Sequence, residues 1–314
     1  MRNIRHFAAV ILVFVFLSAV TVADTTPGLH RILIQFAHGT RIFGVTSAGL
    51  VGDVANNALK QGQWWTIEKG TLVLGKGDLK PGIFGYVKAS KQKIKYAVFS
   101  GAATTTIVGI KIGCIFGFYT QSNGAGILGF RSCPSGDLVY EYGYNATFLT
   151  GMANNGLLVG FHDNAHLQFS GFIVSPSGTE REFVVPGADG TKILGLASRR
   201  RVVGTFLKGG TWHGFVADLN GRHLVIVDAK IKGKPAHDTG VVAVQGRCTL
   251  GYFDVNQNGQ SGFARCKGKK DLAFTFNPTF FMNPRGLLED GTVFGDFDGN
   301  GPTEGFLLPK FVKP

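Results

Sequence analysis

Several signatures of catalysis are missing from this chain of 314 residues. There is no Gly-x-Ser-x-Gly elbow to seat a nucleophile on a strand-to-helix turn, and no His-Glu-x-x-His helix to hold zinc. No paired-carboxylate signature supports glycoside hydrolysis, which sets two carboxyl groups about 5 Å apart in retaining enzymes. Helix-forming runs are few, which argues against bundles and doubly wound folds. Acids are scarce, 20 Asp and Glu against 32 Lys and Arg. No recognition motif accompanies that basic balance, so nucleic acid is not the expected partner. Cysteines number only four, and none lies near residue 23, which excludes a lipoprotein anchor. Beyond residue 22 no apolar stretch approaches the ~20 residues that a membrane span needs.

The first feature present is a leader. Arg2 and Arg5 precede an apolar run from Phe7 to Val22, and Thr21-Val22-Ala23 offers a small-residue cleavage site. Residues 1–23 are expected to be a signal peptide, the alternative being a retained membrane anchor. The mature chain, 24–314, would be extracellular or periplasmic and carry a net charge of +10. Its positive charge is uneven, with eight lysines between Lys60 and Lys95. Solvated loops explain such a cluster, and so does attraction to an extracellular polyanion such as an acidic glycan or anionic envelope lipid.

Forty-six glycines and 27 phenylalanines point to many short strands with tight turns, and they are arranged periodically. Gly117/Gly129-Phe130, Gly160/Gly171-Phe172, Gly204/Gly214-Phe215, Gly251/Gly262-Phe263 and Gly295/Gly305-Phe306 repeat one pattern at intervals of 43, 44, 47 and 44 residues. Around Gly204 the unit reads as four strands: Thr191–Leu196, Arg201–Phe206, Trp212–Val216 and His223–Val227. A four-stranded antiparallel unit of this length is the size of a propeller blade. Counting Gly52 and Gly85 as further leaders, with Thr71–Gly75 as a loose copy of a first strand, gives seven units.

The expected fold is therefore all-β, a single β-propeller of seven blades, or six if one short N-terminal unit merges with its neighbour. An open β-solenoid is the structural alternative. The last unit stops after its third strand, Glu304–Leu308, and an orphan strand at Arg31–Phe36 precedes the first. Together they would complete one blade and close the ring.

Asn154-Asn155-Gly156-Leu157-Leu158-Val159-Gly160-Phe161, Trp212-His213-Gly214-Phe215 and Val185-Pro186-Gly187-Ala188 resemble the extracellular family known as HAF repeats. The resemblance covers 104–308 well and 31–103 faintly, and His213 alone supplies the family's histidine. It implies a secreted bacterial propeller-like protein without an assigned reaction, and it carries over no catalytic residue.

Cys114 and Cys133 stand three before Gly117 and three after Phe130, and Cys248 and Cys266 stand identically about Gly251 and Phe263. Each pair should face across a hairpin, so the disulfides expected are Cys114–Cys133 and Cys248–Cys266.

Candidate binding residues are the polar and aromatic positions beyond the second strands: His162, Asp163, Lys208, Trp212, Asp254 and Asp298. If all units share one strand order, these turns emerge on one face of the ring. Asp254-x-Asn256-x-Asn258-Gly259 could hold calcium, although Asp and Asn favour such turns by bonding their own backbone. No other cofactor is expected. His162, Asp163 and His166 fall short of a zinc set. Trp64, Trp65, Trp212 and Tyr252 offer either a sugar-stacking platform or packing between blades. The sequence thus leads to a non-catalytic binding module for glycans or other polyanions, with a carbohydrate-active hydrolase or lyase on the same scaffold as the alternative.

Overall fold

The computed structural model of the protein describes residues 30–32, 38–46, 49–56, 64–69, 71–74, 82–88, 94–142, 145–163, 168–198, 200–231, 234–254, 259–275, 280–298 and 302–312. The leader 1–23, Asn256, Asn258 and His166 lie outside them. The fold is all-β and propeller-like, and every regular element among the described residues is a strand.

Six antiparallel meanders follow one another along the chain. The second runs Ala102–Lys111, Cys114–Gln121, Ile127–Cys133 and Gly136–Tyr140, and the third Thr147–Met152, Leu158–Asp163, Phe169–Val174 and Glu180–Phe183. The fourth comprises Gly190–Ser198, Arg201–Lys208, Thr211–Asp218 and Val225–Ile226. The fifth, His237–Gln245, Cys248–Asp254, Gln260–Cys266 and Leu272–Phe274, touches the sixth through one parallel pair, Gln260 with Phe281. The sixth takes Phe281–Leu287, Val293–Asp298 and Glu304–Leu308 from the end of the chain and His30–Ile32 from its beginning. Arg31 lies opposite Phe306 in that last pairing, and its guanidinium grips Glu304.

The first meander departs from the even spacing. Gly39–Thr46 and Gly49–Asn56 pair with Gly82–Lys88 and Lys95–Phe99, while a hairpin of Trp64–Glu68 and Thr71–Leu74 is inserted and pairs parallel onto the fourth strand. Gly52 and Gly85, read from sequence as leaders of separate units, are on adjacent strands of one sheet. Thr71–Leu74 is likewise not a first strand but the outer half of the inserted hairpin. The insertion pushes Gly85-Tyr86 to 33 residues beyond Gly52, and Tyr replaces the usual Phe, which hid the match.

One contact repeats in every meander. The second-strand glycine faces the third-strand aromatic in the pairs Gly52–Tyr86, Gly117–Phe130, Gly160–Phe172, Gly204–Phe215, Gly251–Phe263 and Gly295–Phe306. All six aromatics are fully buried, each stabilising the fold by roughly 2–3 kcal/mol. A Cβ on any of the six glycines would lie 2.0–2.2 Å from a first-strand carbonyl oxygen, so only glycine lets ring and strand approach. In five meanders the glycine before the aromatic accepts a neighbour's side chain instead. Gly85 meets Ile107, Gly129 meets Leu149, Gly171 meets Ile193 and Gly214 meets Val241. Gly305 of the sixth meander meets Ile42 of the first.

Each first strand neighbours the first strand of the next meander, and the sixth neighbours the first. Each also carries a β-bulge just beyond the residue opposite the second-strand glycine, at Phe43, Val108, Thr150, Leu194, Val242 and Arg285. A bulge adds one unpaired residue and re-aims its side chain. The disulfides are Cys114–Cys133 and Cys248–Cys266, each tying the second and third strands of its meander as the mirror spacing requires. Two such bridges fit an oxidising compartment, and among the described residues no helix is long and apolar enough to cross a membrane.

Candidate binding site in the central cavity

The six bulged residues line one cavity of about 490 Å³ between the first strands. Phe118, Phe148, Phe161 and Tyr252 supply aromatic wall, joined by Thr104, Thr106, Thr120, Gln260 and Asn283. Phe148 stacks on Phe161 at 4.8 Å between centroids, and Phe118 meets Phe148 edge-on at 5.1 Å. Burial pushes the Tyr252 hydroxyl up to about 12, so it stays a neutral donor at physiological pH.

The same cavity carries two guanidinium groups. Arg41 of the first meander donates from Nε and Nη2 to the two oxygens of Asp53, each at 2.8 Å. Thr106 of the second meander donates to the same carboxylate at 2.5 Å. In the sixth meander Arg285 donates from Nε to Asp296 at 2.9 Å, and Asn283 donates to the other oxygen at 3.0 Å. Phe43 lies between the cations, 5.7 Å from the Arg41 guanidinium carbon and 4.5 Å from that of Arg285.

Burial explains the division of roles. The Asp53 and Asp296 side chains are 2% and 1% exposed, while Arg41 and Arg285 keep 34% and 33%. Burial holds the Asp53 carboxyl above its ordinary value against the pull of Arg41 and Thr106. Arg41 is in turn driven up by the Asp53 charge despite its own partial burial. A guanidinium keeps its proton in proteins, and the two-pronged bond favours the charged carboxylate, so the pair is ionic. Asp53 holds Arg41 at Nε and Nη2, Asp296 holds Arg285 at Nε, and both arginines line the cavity. Such an arrangement accepts a planar anion with little loss of side-chain freedom. Among the described residues no Asp, Glu or His lines the cavity.

The residues singled out in the sequence are dispersed. Asp163 is buried at the end of its strand and accepts the backbone N–H groups of Asn145 and Ala146 at 2.9 and 2.7 Å, a structural task. His162 beside it bonds the Asp163 carbonyl through Nδ1. Lys208 is exposed. Trp212 packs with Phe169 and lies 4.7 Å from Nζ of Lys192. Asp254 stands opposite His237 in the fifth meander, and burial followed by the nearby Asp238 charge pushes its carboxyl up. Asp298 is exposed and accepts the Thr303 hydroxyl. Asp163, Lys208, Asp254 and Asp298 do end second strands, as the polar-turn reading requires. Of the proposed aromatic platform Tyr252 lines the cavity, while Trp65 belongs to the inserted hairpin. No group of three metal-ligating side chains occurs among the described residues.

Sequence reasoning missed Arg41, Asp53, Arg285 and Asp296 as a set. The signal was present in the repeat. After the second-strand glycine four units place Phe118, Phe161, Thr205 and Tyr252, and the other two place Asp53 and Asp296. Those same two units carry the arginines on their first strands.

No family model matches the chain, and no curated protein matches its sequence. Solved structures similar to it include the Trypanosoma rangeli sialidase in complex with sialic acid, at 10% identity and a TM-score of 0.48, covering 93% of this chain. The chain spans only 60% of that sialidase. A mutant of AofleA from Arthrobotrys oligospora matches at 12% identity and a TM-score of 0.38, covering 82% of this chain and 90% of its own. A prolyl endopeptidase matches at 14% identity and a TM-score of 0.37, over 80% of this chain and 38% of its own. At such low similarity none of them lends this chain a residue or an activity.

Proposed function

We propose that the protein is a secreted or periplasmic, non-catalytic binding module built as one closed six-bladed propeller, and that its ligand is an acidic glycan held by Arg41 and Arg285 in the central cavity. The observation that carries this reading is the pair of half-buried guanidiniums anchored from behind by buried Asp53 and Asp296. Desolvated, pre-oriented arginines bind carboxylates more strongly than flexible surface lysines. In the same cavity, Phe118, Phe148 and Tyr252 offer flat faces for a sugar ring.

Six blades rather than seven accounts for the merged first meander, and ring closure for the Gly305–Ile42 contact and the pairing of His30–Ile32 with the last strand. Export follows from the leader layout and agrees with the two disulfides. The HAF-repeat resemblance points the same way. The lack of carboxylates and imidazoles among the described lining residues favours binding over glycoside hydrolysis.

A thermal-shift screen of uronic-acid oligosaccharides against their neutral counterparts tests the reading. Stabilisation by the acidic members only is expected. Equal responses to both would contradict it, and so would release of product from a bound glycan.

A further inference from the structure

The fourth and fifth meanders carry opposite charge at their two ends. In the fourth, Arg201 pairs with Asp218 at one end of the strands and Lys208 with Thr211 at the other. Beyond Arg201 and Asp218 two turns are tied together, the Leu219 N–H donating to the Arg200 carbonyl at 2.9 Å. Arg181, from the outer strand of the third meander, donates to the Leu219 carbonyl, while alternation sends Glu180 and Glu182 to the other side of that strand. The fifth meander repeats the arrangement beyond the paired Cys248 and Cys266, where the Lys267 N–H donates to the Arg247 carbonyl at 2.9 Å. Both meanders run the same way. The Trp212 N–H donates to Asp238 at 2.7 Å near one end, and a Cβ on Gly195 would meet the Val242 carbonyl oxygen towards the other.

Arg181, Arg200 and Arg222 thus share an end with Arg247, Lys267 and Lys269, and all six are exposed. The carboxylates in these turns are already engaged. Asp218 accepts the N–H groups of Asn220 and Arg222 at 3.1 and 2.7 Å and pairs with His223, and Arg265 holds Asp271 from Nε and Nη2 at 2.7 Å each. Among the described residues the arginine ion pairs are those of Arg31, Arg41, Arg265 and Arg285, so none belongs to this cluster. The other end of the same meanders carries Asp189, Asp238 and Asp254 with Lys208.

We infer that this basic end docks the protein on an anionic phospholipid surface. The six cations stand on exposed turns and none of them lines the cavity, so a plane of phosphates can meet them together. Guanidinium groups take phosphate oxygens in pairs, and cations held within a Debye length of an anionic bilayer each add to its attraction. The acidic end is repelled by the same surface, which fixes the orientation. This contact is separate from the cavity and does not depend on what the cavity binds.

The test is co-sedimentation of the mature chain, 24–314, with vesicles of phosphatidylcholine alone or mixed with phosphatidylglycerol. Binding to the mixed vesicles at low salt is expected, with release at high salt and none to phosphatidylcholine alone. Replacing Arg200, Arg222, Lys267 and Lys269 by Gln should weaken that binding at least about tenfold, and Arg222→Gln with Lys269→Gln alone should give a smaller loss in the same direction. A charge-matched variant with Lys69, Lys95, Lys111 and Lys208 replaced by Gln, all exposed and outside these turns, should bind as the wild type does. Equal weakening of the two fourfold variants would reduce the effect to net charge and overturn the inference. Equal binding to both kinds of vesicle overturns it too, as does retention on immobilised polyphosphate without binding to the mixed vesicles.

Discussion

At Gly204 a Cβ would meet the Lys192 carbonyl oxygen at 2.0 Å and the Phe215 ring at 2.8 Å. The first contact is with backbone, so no side-chain rotation relieves it. Gly204→Ala should cost about 3 kcal/mol or more, whereas Gly209→Ala, in open space at φ 57°, should cost about 1 kcal/mol. Paired urea melts check both. Asp296→Asn removes the charge that anchors Arg285. Because Arg285 keeps a third of its surface, the loss should be about 2 kcal/mol rather than the 3–5 expected when a buried partner is stranded. Acid sensitivity has a separate source in Asp271. Desolvation raises its carboxyl, but hydrogen bonds from Arg265 and the Lys230 backbone outweigh it and leave it below its ordinary value. A carboxyl depressed in the folded state adds stability above the unfolded value, and that stability is lost as pH falls through the folded one. Asp271→Asn should therefore flatten the loss of stability below about pH 4, as read from midpoints across a pH series.

Among the elements, the hairpin of second and third strands was the most legible. Its glycine, its aromatic and its cysteines keep fixed offsets, so register could be read before any coordinates. The fourth strand read at His223–Val227 is in place but shorter. Val225–Ile226 is two residues long and exposed, with little hydrophobic alternation to announce it. The inserted hairpin was misread because Thr71–Leu74 has the composition of a first strand and only its pairing reveals otherwise. The bulges were invisible for a physical reason: a bulge depends on how two strands meet, and the sequence period is unchanged by it. The repeat therefore marked the Arg285 unit as unusual but not the bulge that brings Arg285 to the cavity. The hairpin disulfides carry their own prediction. Each closes a loop of 18 or 19 residues, worth about 3 kcal/mol in the chain-entropy account. Cys248→Ala with Cys266→Ala should lower stability by about 2–3 kcal/mol, and added reductant should then affect only the remaining bridge.

Taken as one molecule, the closed ring proposed above would rest on the pairing of His30–Ile32 with Glu304–Leu308. Deleting residues 24–37 should bare the edge of Glu304–Leu308, lower the thermal midpoint and promote association, which light scattering during a melt would detect. A midpoint unchanged by the deletion would show that the ring does not need this strand. Arg41 and Arg285, from opposite ends of the chain, line the same cavity, so on the proposed closure ligand affinity and ring integrity should fall together. The most direct measurement is calorimetric titration of a glucuronate-terminated disaccharide into the wild type and into the Arg41→Met, Arg285→Met double variant, with the uncharged glucose disaccharide as control. The account predicts saturable one-to-one binding of the acidic sugar, no detectable heat from the neutral one, and at least a tenfold weaker association in a double variant that still melts cooperatively, in keeping with the loss of charge-assisted bonds of about 1.5–3 kcal/mol each. Unaltered affinity in that folded variant, or equal binding of the neutral sugar, would contradict it.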